Sequence, residues 1–111
     1  DLKDLQEIVG GYIEIPFVSE VFFENGIDMI INEEGKFVEG LKPEIAIIEN
    51  GTYKLLDIVY GNCIFASHDA EGNTIGLTEE QMKVVKQELQ MDITLTYQDV
   101  DKEFVVKALF M

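Results

Sequence analysis

The sequence predicts an α+β fold: a mostly antiparallel sheet of hairpins, covered by a short N-terminal helix and by a second helix near residues 78–90. Three observations predict it. Apolar residues recur at helical spacing near the start and again around 78–90. Through much of the remainder the period drops to two, as in half-buried strands. Turn pairs such as Asn25-Gly26 and Asn50-Gly51 separate the apolar runs at hairpin intervals.

The chain is organised around Leu5-Gln6-Glu7-Ile8-Val9-Gly10-Gly11-Tyr12-Ile13-Glu14, which reads as helix, double-glycine stop and strand. Leu2, Leu5, Ile8 and Val9 form the apolar stripe of the helix, and Asp1 and Asp4 suit its positive N-terminal end. Gly10 and Gly11 end it, because glycine accepts the left-handed conformation of a helix stop. Residues 12–18 alternate as a strand, with Pro16 marking an edge or an end. Residues 19–26 read as a connector whose Phe22 and Phe23 pack beneath the sheet. Residues 27–32 are a strand, and Glu33-Glu34-Gly35-Lys36 is a turn with glycine placed for positive φ. Phe37 and Val38 suggest a short returning strand.

Residues 45–48 and 53–58 form a hairpin about Asn50-Gly51. Gly61-Asn62 either bulges one long strand or splits two. Residues 62–67 are a strand and 69–76 a loop. At 77–90, Thr78 caps a helix, Gln81 completes a capping box, and Leu77 with Met82 supplies a hydrophobic staple. Met82, Val85 and Leu89 are its expected buried stripe, with Lys83, Lys86 and Glu88 in water. Residues 92–98 alternate as a strand. Residues 104–110 fit helical spacing too, but their Val and Phe content favours a strand.

At 111 residues the chain is one domain, long enough to bury roughly 65% of its unfolded surface without staples. Cys63 is the single cysteine, so no internal disulfide forms, and a buried small hydrophobe in a reducing, cytoplasmic setting is expected. No apolar run approaches the roughly 20 residues of a membrane helix, and no signal-peptide pattern is visible. Twenty-two acids face eight lysines, there is no arginine, and the net charge is −14. Nucleic acids and anionic lipid are therefore repelled, and direct nucleic-acid or membrane binding is excluded as a function. The partners that fit are cationic proteins or metal ions, although the acids are spread along the chain as they are on any highly soluble surface.

Motifs for chemistry are sparse. His68 precedes Asp69, but strand neighbours point to opposite faces, so the pair is ill placed as a base with its orienting carboxylate. Asp69, Glu71, Asn73 and Glu80 echo a calcium loop, yet its sixth position is Thr74 where that loop needs glycine. Glu33-Glu34 and Glu79-Glu80 are explained by a turn and a helix start. Gly10-Gly11 follows a helix instead of opening one, so it is no phosphate cradle. Neither a catalytic set, nor a metal site, nor a cofactor motif is expected.

The segments LQEIVGGYIE, NEEGK (residues 32–36) and DIVYGN (residues 57–62) resemble a family of small domains of unknown function found on phages, conjugative elements and Gram-positive gut bacteria. The resemblance spans about residues 1–68, leaving 69–111 as a helix with C-terminal strands. It implies a mobile-element setting and, in most members, one further strand ahead of the helix. Members also tend to carry an Asn-Arg pair after the proline, where this sequence has Glu44-Ile45. No catalytic residues transfer.

Three functions follow as expectations. The foremost is a non-catalytic protein-binding module that imitates DNA to inhibit host nucleases, with Glu14, Glu33, Glu34, Glu39 and Glu44 as a row of acids if their strands are neighbours. The alternative is a small-ligand or enzymatic domain with a pocket near Tyr12, Tyr60, His68 and Cys63. The third is a homodimer joined through an exposed edge strand such as residues 104–110.

Overall fold

Helix α1 (Leu2–Val9) ends where the double glycine requires. The N–H groups of Gly10 and Gly11 both donate to the Gln6 carbonyl, at 2.9 and 3.0 Å, and Gly10 holds φ +83°. In the computed structural model the described residues are 2–35, 40–89, 92–97 and 100–111, with side chains described at all of these except 96, 97 and 100–102. The expected strand at Phe37 and Val38 lies outside them, as does Glu39.

The stripe of α1 packs less than its periodicity predicts. Val9 is buried, but Leu2 and Ile8 are 56% and 51% exposed. The helix is held through its C-terminal end, described below.

After α1 the chain forms β1 (Ile13–Glu14), which pairs antiparallel with β2 (Asp28–Asn32). The strand expected over 12–18 is thus cut to two residues and stops ahead of Pro16, which has no N–H to donate. The expected connector contains a helix, α2 (Glu20–Glu24). Ser19 caps it, its Oγ accepting the Phe22 N–H at 3.1 Å. Of the two phenylalanines only Phe22 packs inward; Phe23 is 73% exposed. In one helical turn, adjacent side chains point about 100° apart and cannot both face the core.

At the turn after β2, Gly35 does not take positive φ. It is required there by crowding: a Cβ would lie 3.0 Å from the Tyr60 carbonyl oxygen. Strands β3 (Pro43–Ile48) and β4 (Leu55–Tyr60) form the expected hairpin, but its loop is longer than the Asn50-Gly51 turn: Tyr53, expected in the second arm, takes φ +59°, and the Glu49 N–H donates to the Lys54 carbonyl at 2.8 Å. Gly61 then turns the chain, with φ +77°, and β5 (Ile64–His68) leaves for the other sheet. Gly61-Asn62 is therefore a split between two strands. The loop expected over 69–76 is shorter: residues 69–73 turn the chain, and β6 (Thr74–Ile75) pairs back on β5.

Helix α3 (Glu79–Glu88) carries the predicted capping box, with Gln81 N–H on Thr78 Oγ1 and Thr78 N–H on Gln81 Oε1. Its core-facing residues are Val84, Val85 and Leu89, with Leu77 ahead of the cap; Met82 is 42% exposed and points away. Glu88 is half-buried, where full solvation was expected. Strand β7 (Asp92–Tyr97) then pairs antiparallel with the long β8 (Val100–Phe110), and Asp92 meets Lys107 across the ladder at 2.6 Å. The strand assignment for 104–110 holds.

These strands form two four-stranded sheets, β1-β2-β5-β6 and β4-β3-β8-β7. All the pairings are antiparallel except β3 with β8, which run parallel from Ile45↔Lys107 to Ile48↔Phe110. The class is α+β, as expected, but with two sheets where hairpins alone suggest one. Strand β8 lies between β3 and β7, so residues 104–110 do not form a free edge; the edges of that sheet are β4 and β7.

The main core lies between the sheets. It joins Met29, Ile45, Ile47, Val59 and Leu109 to Val18, Phe22 and Ile27, with α3 packed on it. A smaller cluster of Ala46, Ile48, Val106 and Ala108 occupies the opposite face of β3 and β8. On the first sheet, Met29 faces the main core, while Ile30 and Asn32 alternate to the other face, where α1 sits. Among the described residues no helix is long and apolar enough to cross a membrane.

Candidate functional site

Two constructions stand out: the junction that holds α1, and a groove beside α2.

At the junction, the three segments that carry the family resemblance come together. Asn32, 6% exposed, donates from Nδ2 to the Val9 carbonyl at 3.1 Å and accepts the Glu34 N–H on Oδ1 at 2.8 Å. Asn62 donates from Nδ2 to the Ile8 carbonyl at 3.2 Å. Two of the carbonyls left open at the end of α1 are thus satisfied by side chains from β2 and from the β4–β5 turn. Gly11 lies so close to Asn32 that a Cβ there would stand 3.0–3.3 Å from the amide. The Glu33 N–H donates to the Tyr12 carbonyl at 2.9 Å. Both ends of the Asn32 amide and the Asn62 Nδ2 group hold backbone in place, so the junction is structural.

The groove has a volume of about 370 Å³ and runs between the extended residues 15–18, α2, the start of β2 and the end of β5. Val18 and Phe22 form its floor and belong to the core. Its walls are open: Ile15 is 51%, Phe17 56% and Phe23 73% exposed. The Phe17 and Phe23 rings lie 6.1 Å apart, tilted by 54°.

At one end stands His68, whose Nδ1 is 2.8 Å from Asp28 Oδ2. The carboxylate partner is Asp28 on the neighbouring strand, not Asp69. In the β2–β5 ladder Asp28 faces Ala66, so His68 is its diagonal neighbour on the same face. In the tautomer that donates from Nδ1 to Asp28, Nε2 is the ring nitrogen left to accept a hydrogen bond. The two serines nearby are engaged. Ser19 Oγ caps α2, and Ser67 Oγ donates to the Gly26 carbonyl at 2.7 Å while receiving Gln81 Nε2 at 3.3 Å. Gln81 Nε2 also donates to the Asn25 carbonyl at 2.8 Å, so the α3 cap braces the α2 turn that forms the groove wall.

The residues expected to share a pocket are dispersed. His68 borders the groove, but Cys63, Tyr12 and Tyr60 do not line it. Cys63 packs against the main core, and burial, aided by the Glu44 carboxylate, pushes its thiol up to about 11. A thiol that stays protonated is a poor nucleophile. Iodoacetamide at pH 8 is accordingly expected to label Cys63 slowly in the folded protein and rapidly in urea, with mass spectrometry as the readout. Because the native thiol holds its proton more tightly, folding stability should decline as pH rises from about 9 toward 11.

Asp69 turns its carboxylate into its own loop. Oδ1 accepts the Glu71 and Asn73 N–H groups, both at 2.9 Å, and the Asn73 amide donates to Oδ2. These bonds, with Asn73 first, hold its acid below the usual carboxylate range. The feature that echoes a calcium loop is an Asx-type turn.

Of the acidic row, Glu14 lies on β1 and Glu33 and Glu34 in the turn after β2, all exposed. Glu44 is on β3 in the other sheet, exposed, at a second hollow lined by Val9, Gly10, Lys42 and Asn62. Glu39 lies outside the described residues. The groove itself was missed in the sequence because α2 was. The available signal was the capping serine, Ser19, followed by Glu20 and the three apolar residues 21–23.

This architecture is that of a small acidic α+β domain whose surface offers an open, aromatic-walled groove. The chain belongs to the family DUF3846, described as a domain of unknown function, whose family model matches residues 1–90 and so runs through β6 and α3. Neither a curated protein nor a solved structure matches it.

Proposed function

We propose that this chain is a non-catalytic protein-binding module for a cationic partner, and that it occupies host nucleases by imitating the charge of DNA. The observation that carries this reading is the surplus of acid: 22 Asp and Glu against eight Lys with no Arg. Exposed Glu14, Glu33 and Glu34 stand near one another where β1 meets the turn after β2, and the Glu33 backbone is bonded to Tyr12. DNA presents one charge per ~1.7 Å of axis, and a protein that copies it needs acids displayed on a firm backbone. The mobile-element setting implied by the sequence resemblance supports the same reading.

The test is binding of the purified chain to a panel of purified restriction endonucleases at 50 and 200 mM salt, with a double-stranded oligonucleotide as competitor. Affinity should fall on the order of a thousandfold across that range if about six charge contacts form, and the oligonucleotide should displace the protein. Binding indifferent to salt, or no binding, refutes the reading; binding that DNA does not displace refutes the imitation of DNA.

A further inference from the structure

We propose that the groove between residues 15–18 and α2 docks a basic peptide segment of a partner protein, which lays a large apolar side chain against the Phe17–Phe23 pair and places Lys or Arg beside Asp28. This deepens the protein-binding reading and rests on it, adding the place and the recognition chemistry.

Three features point to this occupant. First, the groove is apolar and open: three of its large side chains, Ile15, Phe17 and Phe23, are more than half exposed, although Val18 and Phe22 beneath them are buried. Exposed aromatics over a packed floor form an anchor pocket for an apolar side chain. Second, apart from His68 at one end, the charge around the groove has one sign. Residues 12–35, which form most of the groove, contain Glu14, Glu20, Glu24, Asp28, Glu33 and Glu34 and no lysine. Glu20 and Glu24 are exposed on α2, and Asp28 lines the groove. An acidic segment is repelled there, whereas Lys or Arg gains charge complementarity and, over the Phe17 and Phe23 faces, cation–π attraction. Third, the walls are braced: α2 is tied through Gln81 to the α3 cap, and Asp28 is tied to His68. A groove already in shape loses little freedom on binding.

The probe is a fluorescein-labelled hexapeptide of alternating Lys and Phe, compared with two matched peptides in which Ser replaces each Phe or Glu replaces each Lys. Binding is followed by anisotropy and mapped by amide chemical shifts on the full chain. The Lys-Phe peptide is expected to perturb residues 15–28 and His68, and both matched peptides should bind at least tenfold more weakly. Phe23→Ser removes an exposed side chain and should weaken the Lys-Phe peptide tenfold or more; Asp28→Asn should weaken it and flatten its salt dependence. Unchanged amide spectra elsewhere confirm that each variant is folded, and Phe17→Ser serves where one is not.

If the peptide binds with shifts confined to Glu14, Glu33 and Glu34, or if Phe23→Ser and Phe17→Ser bind as the parent does, the groove proposal is overturned while the cationic-partner reading stands. If the peptide and the endonucleases all fail to bind, both fall.

Discussion

Phe22→Ala is expected to destabilise the protein by about 3–5 kcal/mol, the cost of removing a large buried aromatic and leaving its cavity. Phe22 is 1% exposed and meets Phe65 edge-on, with ring centroids 5.7 Å apart. It is the one buried residue of α2, a helix of five residues that cannot persist without docking. A domain of this size has about 5–15 kcal/mol in total, so the variant should unfold at a much lower urea concentration. Phe23→Ala, one residue on and exposed, should shift the midpoint by less than about 0.5 kcal/mol. Equal losses at the two positions would mean that α2 presents a different face to the core.

Asn32→Ala should cost about 2–4 kcal/mol and act at a distance, loosening α1. It removes the Nδ2 bond to the Val9 carbonyl and the Oδ1 bond from the Glu34 N–H. Both partners then lose their protein bond in a place where Asn32 itself is nearly excluded from water, and each such loss costs about 1–3 kcal/mol. Hydrogen exchange is the sharper readout. Amides of α1 should lose protection beyond the global change, while those of α3 should follow global stability alone. Asn32→Asp should do no better, since a second carboxylate oxygen would face the Val9 carbonyl where the amide now donates. Unchanged exchange in α1 would show that the helix is held by its apolar contacts instead.

The two predictions bear on different parts of the proposed binding site. Phe22 supports the floor of the groove, and its loss should abolish peptide docking together with part of the fold. Asn32 organises the β2 turn that displays Glu33 and Glu34, and its loss should weaken the acidic face without filling or emptying the groove.

What was legible before the structure was local. The Thr78–Gln81 box, the Gly10-Gly11 stop and the alternation of residues 92–95 each involve groups within a few residues, and each formed as expected. The errors have two sources. Helix α2 was missed because five residues carry too little periodicity to register, and Met82 was assigned to the core because a helical stripe of three or four apolar residues admits more than one orientation. Val84 took its place, since the Gln81 bonds to Asn25 and Ser67 orient α3.

The candidate site was not legible, because its parts are far apart in the chain. His68 reaches Asp28 across 40 positions, and Asn32 reaches Val9 across 23. Taken alone, the sequence determined the charge, the α+β class, the end of α1 and the start of α3, because those follow from side chains acting on their own stretch of backbone. Tertiary structure alone decided the division into two sheets, the parallel pairing of β3 with β8, and which phenylalanine faces water. Those outcomes depend on which apolar faces meet, and that is chosen by the packing of the whole chain.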